Sequence, residues 1–97
     1  MEEKRILLSI QRSLLEKITP NLRCVRLIAV KDSKNLVFYY DNPPSEEEQE
    51  LASLADTELI SDFPDSDTGF EIKIIPFPQK IPHKGICVYH RYEANIL

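Results

Sequence analysis

Ten carboxylates fall between Asp41 and Asp67, a segment that contains neither lysine nor arginine. Carboxylates on successive helical turns could work as a general acid and base. That chemistry needs a cleft that raises the pKa of one carboxyl group. The start of a helix instead lowers the pKa of exposed glutamates. An exposed acidic surface instead attracts positively charged partners over long distances. Because the rest of the chain has twelve lysines and arginines against six carboxylates, the sequence predicts a molecule with two oppositely charged regions.

His83, Cys87 and His90 form the cluster whose residue types best suit nucleophilic catalysis or metal binding. Positions 87 and 90 of a regular strand point to opposite faces of its sheet, so we expect Cys87 and His90 to lie apart. Structural zinc sites use closely spaced pairs of ligands, and neither Cys24 nor Cys87 belongs to such a pair. We expect both cysteines to be buried free thiols. The sequence therefore predicts no enzyme, no metal site and no cofactor.

The length and composition predict one globular domain that covers residues 1–97, with a single modest core. Hydrophobic residues make up 42% of the chain and charged residues 29%, which argues against a disordered protein. No apolar run approaches the roughly 20 residues that span a bilayer, and charges interrupt the N-terminal stretch where a signal peptide would be apolar. We therefore expect a cytoplasmic protein that does not bind membranes.

Two amphipathic helices and four strands must position these residues. Apolar residues recur every three or four positions over 2–18, which predicts a first helix. Its buried stripe is predicted to consist of Leu7, Ile10, Leu14, Leu15 and Ile18. Two apolar strands, 22–31 and 36–41, follow and are predicted to form a hairpin with its turn at 32–35.

The acidic segment contains the second helix. Ser45 and Glu48 form the S-x-x-E capping box of a helix start, in which each side chain accepts a hydrogen bond from the backbone of the other residue. Glu46 and Glu47 lie in the first turn, where the helix dipole favours anions. One side of this helix is apolar and is predicted to face the sheet: Leu51, Ala52, Ala55, Leu59 and Phe63.

The last two strands are predicted at 70–78 and 86–93, where apolar and polar residues alternate. Pro76, Pro78 and Pro82 cannot donate ladder hydrogen bonds, so this second hairpin should be loose or lie near a sheet edge. The order α-β-β-α-β-β predicts an α+β fold. It is a two-layer sandwich in which two helices cover one face of a four-stranded, mainly antiparallel sheet.

A basic protein is the partner that the charge pattern favours. A small RNA-binding domain is an alternative, because basic residues interleaved with Phe77, Tyr89 and Tyr92 could form an aromatic, positive sheet face. The pI of about 5.1 and the acidic helix oppose direct nucleic-acid binding. An adaptor or subunit that binds some other basic protein is a second alternative.

The sequence resembles the small immunity proteins of bacterial contact-dependent growth inhibition systems and related polymorphic toxin systems. The resemblance runs along most of the chain, through the strings ITPNLR (18–23), VFYYD (37–41), SEEEQELAS (45–53), TELISDFPD (57–65) and IPFPQKIPHKGICVYHR (75–91). It implies a non-enzymatic inhibitor that binds the C-terminal domain of a cognate toxin, often a nuclease, and protects the cell that makes both.

The resemblance supplies no binding residues, so the predicted site rests on charge and on neighbouring aromatic rings. We expect an acidic surface that covers or mimics the nucleic-acid site of a basic nuclease. The predicted contacts are Tyr39, Tyr40, Asp41, Glu46, Glu47, Glu50, Asp56, Asp62, Asp65 and Asp67.

Overall fold

The computed structural model describes residues 2–31 and 33–93. Its elements follow the predicted order α-β-β-α-β-β and form an α+β fold, which confirms the predicted fold class. The helices and strands have the bounds α1 Glu2–Ser13, β1 Leu22–Val30, β2 Ser33–Tyr40, α2 Glu46–Asp62, β3 Asp67–Ile74 and β4 Ile86–His90.

The strands form one mixed sheet in the order β3-β2-β1-β4. β1 pairs antiparallel with β2 and with β4, whereas β2 pairs parallel with β3. The parallel pairing follows from α2, because a helix of 17 residues spans about 25 Å and returns the chain to the end where β2 began. The predicted hairpin between the last two strands is therefore wrong, since β3 and β4 lie at opposite edges of the sheet.

Both helices pack on one face of the sheet, as predicted. The core between the two layers contains residues from both helices and from the two central strands: Ile6, Ile10, Leu14, Leu22, Val25, Leu27, Leu36, Phe38, Tyr40, Ala52, Ala55, Leu59 and Phe63. The buried residues of α2 confirm most of its predicted apolar side, and Leu51 is half-buried.

The segment 75–85 connects β3 to β4 and crosses the sheet face that the helices leave uncovered. Ile81 is buried there in a second small cluster, against which Ile75 packs. The partners in this cluster are Cys24, Val37 and Tyr39. The two central strands are consequently covered on both faces, which explains why they are apolar at nearly every position.

The first helix ends at Ser13 and not at Ile18 as predicted. Glu16 adopts a left-handed backbone conformation with φ 65°, so the chain turns away after α1. Leu15 and Ile18 are 65% and 44% exposed, and their predicted place in the core is wrong. Ile6, one turn before Ile10, is buried in their stead.

The first hairpin is confirmed, with a shorter turn than predicted. Lys31 takes a left-handed conformation with φ 55°, and β2 begins at Ser33. Most of the predicted turn at 32–35 therefore belongs to β2, while Asp32 lies outside the described residues.

Candidate partner-binding surface

Ser45 fixes the start of α2 and orients its acidic first turn. Its Oγ accepts a hydrogen bond from the Glu48 N–H at 3.1 Å, and Glu48 Oε1 accepts one from the Ser45 N–H at 2.9 Å. The predicted capping box is thereby confirmed. Because the Glu48 side chain turns back toward Ser45, it is half-buried, whereas Glu46 and Glu47 are exposed to solvent.

Glu48 also ties α2 to the segment that precedes β1. Its carboxylate accepts hydrogen bonds from Thr19 Oγ1 and, at 3.2 Å, from Asn21 Nδ2. Burial alone raises the pKa of Glu48, but the hydrogen bonds from Thr19, Ser45 and Asn21 together outweigh it and hold the pKa below its ordinary value. One carboxylate of the acidic segment thus has a structural role that the capping box only partly predicted.

We call the exposed residues Glu46, Glu47, Glu50 and Leu54 the outer face of α2. Glu46, Glu50 and Leu54 follow each other at four-residue steps and lie along one line on the helix, with Glu47 beside them. Among the described residues, no lysine or arginine forms an ion pair with these three glutamates. Leu54 is 46% exposed beside them. The outer face therefore combines uncompensated negative charge with an accessible apolar side chain.

Tyr39 and Tyr40 lie in the interior, only 1% and 3% exposed. The two rings point to opposite faces of the sheet: Tyr40 packs under the helices, and Tyr39 packs under the 75–85 segment. Tyr40 Oη also donates a hydrogen bond to the Glu48 carbonyl oxygen at 3.4 Å. Neither ring offers surface to a partner, so both are corrected from predicted contacts to core residues.

Asp41 is engaged within the protein. Its Oδ2 lies 3.2 Å from Arg91 Nη2, and its Oδ1 accepts a hydrogen bond from the Phe77 N–H at 2.9 Å. The hydrogen bond from Phe77, aided by Arg91, holds the pKa of Asp41 below its ordinary value. This carboxylate fixes the start of the 75–85 segment, and its charge is already compensated.

Asp62 and Asp56 are also turned inward. Asp62 accepts hydrogen bonds from Ser9 Oγ and, at 2.8 Å, from Arg12 Nη2, so it joins α2 to α1. The Ser9 hydrogen bond and the neighbouring Arg12 lower the pKa of Asp62. Asp56 is half-buried, and burial raises its pKa. Neither residue belongs to the outer face of α2.

Asp65 and Asp67 are exposed but lie beyond the C-terminal end of α2. In the part of the chain that the structure describes, neither forms an ion pair. The helix places them about 25 Å from the glutamates of its first turn. The structure therefore separates the predicted acidic site into the outer face of α2 and a second, smaller group at the far end.

A sequence profile of the MafI2 immunity protein family matches residues 3–93, which is nearly the whole chain. The chain belongs to the MafI2 immunity protein family. No curated protein matches it. An immunity protein neutralises the toxin of its own system, so the partner of this MafI2 family member is a cognate toxin. The predicted assignment to the immunity proteins of toxin systems is confirmed at this level.

None of the helices in the described ranges is long and apolar enough to cross a membrane. Over residues 2–31 and 33–93, no group of three or more His, Cys, Asp or Glu residues is placed to hold a metal ion.

The arginines of the MafI2 chain are largely used inside the protein. Arg23 forms an ion pair with Glu93, which also pairs with Arg91. Arg26 donates to two backbone carbonyls at the end of the 75–85 segment. Arg23 and Arg26 are only 3% and 8% exposed. Two of the arginines that a basic RNA-binding sheet face would use are therefore buried and engaged in internal hydrogen bonds.

A cavity of about 510 Å³ lies between this sheet face and the 75–85 segment, and both His83 and His90 line it. In the β1–β4 ladder, Cys87 lies opposite Arg26 and His90 lies opposite Cys24. The register between the two strands shifts between these positions. Such a β-bulge shifts the alternation of side chains by one residue. Cys87 and His90 consequently lie on the same face, and the expectation of opposite faces is corrected.

The two cysteines are neighbours in the MafI2 fold although they are far apart in sequence. Their Sγ atoms are 3.9 Å apart, too far for the bond of about 2.05 Å in a disulfide, and both thiols are free. Cys24 is buried as expected, whereas Cys87 is exposed, which corrects the prediction. Burial, reinforced by Cys87, raises the pKa of Cys24 to about 12, so its thiol stays protonated and unreactive at neutral pH.

Proposed function

We propose that this protein acts in the cytoplasm of the cell that makes both proteins, where it binds and neutralises the C-terminal domain of its cognate toxin. The toxin domain is a basic nuclease of a contact-dependent growth inhibition system. The outer face of α2 docks on it and covers or mimics nucleic acid at its active site. The inhibitor acts by occupying this surface and not by catalysis.

The observation that carries the proposal is the uncompensated charge of Glu46, Glu47 and Glu50, which are exposed and form no ion pair with any described lysine or arginine. A nuclease must attract polyanions, so its active site is positive and would attract this face in the same way. Such attraction accelerates encounter, and association can approach about 10⁸–10⁹ M⁻¹s⁻¹ at low salt. Fast capture protects the cell because free toxin begins damage at once.

Leu54 gives the same face a site for a lasting contact. Interfaces hold through a few apolar anchors at their centre, while charges at the rim mainly set the rate of encounter. Leu54 is 46% exposed and lies one helical turn after Glu50. The outer face of α2 thus has an apolar anchor surrounded by negative charge, which favours a protein partner over RNA.

Reversing two charges tests the electrostatic part of the proposal. We expect the double variant Glu47→Lys, Glu50→Lys to associate with the toxin domain at least about tenfold more slowly at low salt and to show a weaker salt dependence. Stopped-flow or surface plasmon resonance at two salt concentrations measures this.

The matched control is Asp65→Lys, Asp67→Lys, which makes the same change in net charge at the other end of α2. We expect it to slow association only a few-fold, since Asp65 and Asp67 lie outside the proposed docking face and contribute only to the long-range field of the protein. Equal slowing by the two double variants would mean that net charge alone matters. No slowing by either would move the interface away from α2.

Shortening Leu54 to alanine tests the anchor. We expect the dissociation rate of the toxin complex to rise about tenfold with little change in the association rate, because the charges remain. Ile60→Ala is the control, since Ile60 is 42% exposed on another side of the same helix. Competition kinetics measure both dissociation rates, and a larger effect at Ile60 than at Leu54 would contradict the proposed docking face.

A further inference from the structure

β3 is an edge strand whose outer side has no strand partner in the described part of the chain. It is eight residues long and pairs with β2 without a register shift. β4, at the opposite edge, is five residues long and carries a bulge. Short and bulged edges resist pairing with another chain, whereas a long regular edge is ready to accept a strand. The β3 edge is therefore the one of the two that is suited to such pairing.

The backbone groups on the outer edge of β3 can be assigned. Ile75 N–H donates to the Tyr40 carbonyl oxygen at 2.9 Å, so residue 75 directs its polar groups toward β2. Successive residues of a strand direct their N–H and C=O groups alternately to its two sides. Phe70, Ile72 and Ile74 consequently direct theirs outward, away from β2.

The side chains of β3 divide into an apolar and a charged row. Phe70 and Ile72 lie on the helix side. The Phe70 and Phe38 rings are perpendicular with their centroids 6.3 Å apart, and Ile72 packs on the core. Ile74 shares this side by alternation, and it and Phe70 remain 46% and 37% exposed. Glu71 and Lys73 are exposed on the opposite side of the sheet.

We propose that β3 pairs antiparallel with β3 of a second copy of this chain, about a two-fold axis that passes through Ile72. In this register Ile72 faces Ile72 of the second copy, and Phe70 faces Ile74. The N–H and C=O groups of these residues point outward, so each opposed pair can form both hydrogen bonds of an antiparallel ladder. The two four-stranded sheets would then form one continuous sheet.

Charge favours this register over the two neighbouring ones. With the axis at Ile72, Glu71 of each copy lies directly opposite Lys73 of the other, and opposite charges in such cross-strand pairs are stabilising. Moving the axis to residue 71 places Glu71 opposite Glu71, and moving it to residue 73 places Lys73 opposite Lys73. Like charges directly opposite one another are destabilising. Of the alignments centred on residues 71, 72 and 73, the one at Ile72 alone makes the order Phe-Glu-Ile-Lys-Ile complementary to itself.

The dimer does not depend on the toxin-binding proposal, because the outer face of α2 contains no residue of β3. A strand edge of this length buries less surface than the roughly 1,200–2,000 Å² of a standard stable interface. We therefore expect a reversible dimer whose dissociation constant is of micromolar order. Sedimentation velocity of the full chain from about 1 to 500 µM tests this by following the shift from monomer to dimer.

A charge-swap series identifies the interface. Glu71→Lys alone and Lys73→Glu alone each place like charges opposite one another, and we expect each to raise the dimer dissociation constant at least about tenfold. An equimolar mixture of the two variants restores both opposite-charge pairs, and we expect it to dimerise like the original chain. Lys80→Glu, on an exposed residue of the 75–85 segment, is the control that should dimerise normally.

Three results would overturn the proposal: a chain that stays monomeric over the whole concentration range, single variants that dimerise as the original does, or a mixture that fails to recover. Circular dichroism of each variant shows that it is folded. Recovery in the mixture also excludes misfolding as the cause of a loss, since misfolded chains would not regain pairing on mixing.

Discussion

Replacing Arg23 with alanine is expected to lower the free energy of unfolding by about 3 kcal/mol, because the buried Glu93 carboxylate would keep only Arg91 as a partner and the carbonyls of Ile75 and Gln79 would lose their donor. The two side chains are only 4% and 10% exposed. Folded domains of this size are stable by roughly 5–15 kcal/mol, so the variant would lose a large part of its stability. Urea unfolding followed by circular dichroism measures the change.

The size of this effect follows from the number of hydrogen bonds that one guanidinium makes. Arg23 Nε and Nη2 donate to the two oxygens of Glu93 at 2.6 and 2.8 Å, and Nη1 donates to the carbonyls of Ile75 and Gln79 at 2.7 and 2.9 Å. The Phe77 ring lies 5.5 Å from its Cζ. Arg23 therefore joins β1, the 75–85 segment and residue 93, which only the fold brings together.

Arg12→Ala is the matched control for an ion pair at the surface. Arg12 lies 2.8 Å from Asp62, but its side chain is 70% exposed. Solvent-exposed pairs contribute about 0–1 kcal/mol, so this variant should change the free energy of unfolding by no more than that. If Arg23→Ala were as mild as Arg12→Ala, the buried network would have no stabilising role.

The pH dependence gives a second measurement of the same pair. Hydrogen bonds from Arg23, reinforced by the charges of Arg23 and Arg91, hold the pKa of Glu93 below its ordinary value of 4.5. A group whose pKa is lower in the folded state stabilises the fold above its unfolded pKa, and this contribution is lost as the pH falls through the folded pKa. The stability difference between the original chain and Glu93→Gln should therefore be constant near neutral pH and shrink below about pH 4.5.

Features that depend on near neighbours in sequence were predictable. The Ser45–Glu48 capping box needs only residues three apart, and the inward side of α2 follows from helical periodicity. The charge of the outer face of α2 was also visible, because the acidic segment lacks any basic residue. Asp62 is not part of this face, because it accepts hydrogen bonds from Ser9 and Arg12 of α1. This contact depends on how the two helices pack, and no local sequence pattern encodes that packing.

Features that depend on the sheet topology were not predictable. Tyr39 and Tyr40 alternate between two faces, and ordinarily one of two such neighbours is exposed. Both are buried because the 75–85 segment returns across the second face. The bulge in β4 also depends on the sheet topology, because it is a shift in the register between β4 and β1. The order of the strands could not be derived from the sequence pattern. It decides which aromatic and histidine side chains lie close enough together to form a site.

Gly85→Ala tests that strand order, and we expect it to lower the free energy of unfolding by about 2–4 kcal/mol. Gly85 has φ 69°, and a Cβ atom there would lie 2.1 Å from the Leu27 carbonyl oxygen, which belongs to the backbone and cannot move aside easily. Gly69→Ala is the control, because its Cβ would meet only the Asn35 side-chain oxygen, at 2.8 Å, and that exposed side chain can rotate. Urea unfolding compares the two.

The contrast between the two glycines depends on where β4 lies. Gly85 comes close to Leu27 only because the strand that follows it pairs with β1. In the hairpin predicted from sequence, β4 would pair with β3 and the neighbourhood of Gly85 would contain no β1 backbone. A Gly85→Ala variant as stable as Gly69→Ala would therefore contradict the β3-β2-β1-β4 order. A loss larger than the roughly 1–2 kcal/mol that a left-handed alanine costs in any fold would support that order. It would also support the open β3 edge, since β3 is exposed only if β4 pairs elsewhere.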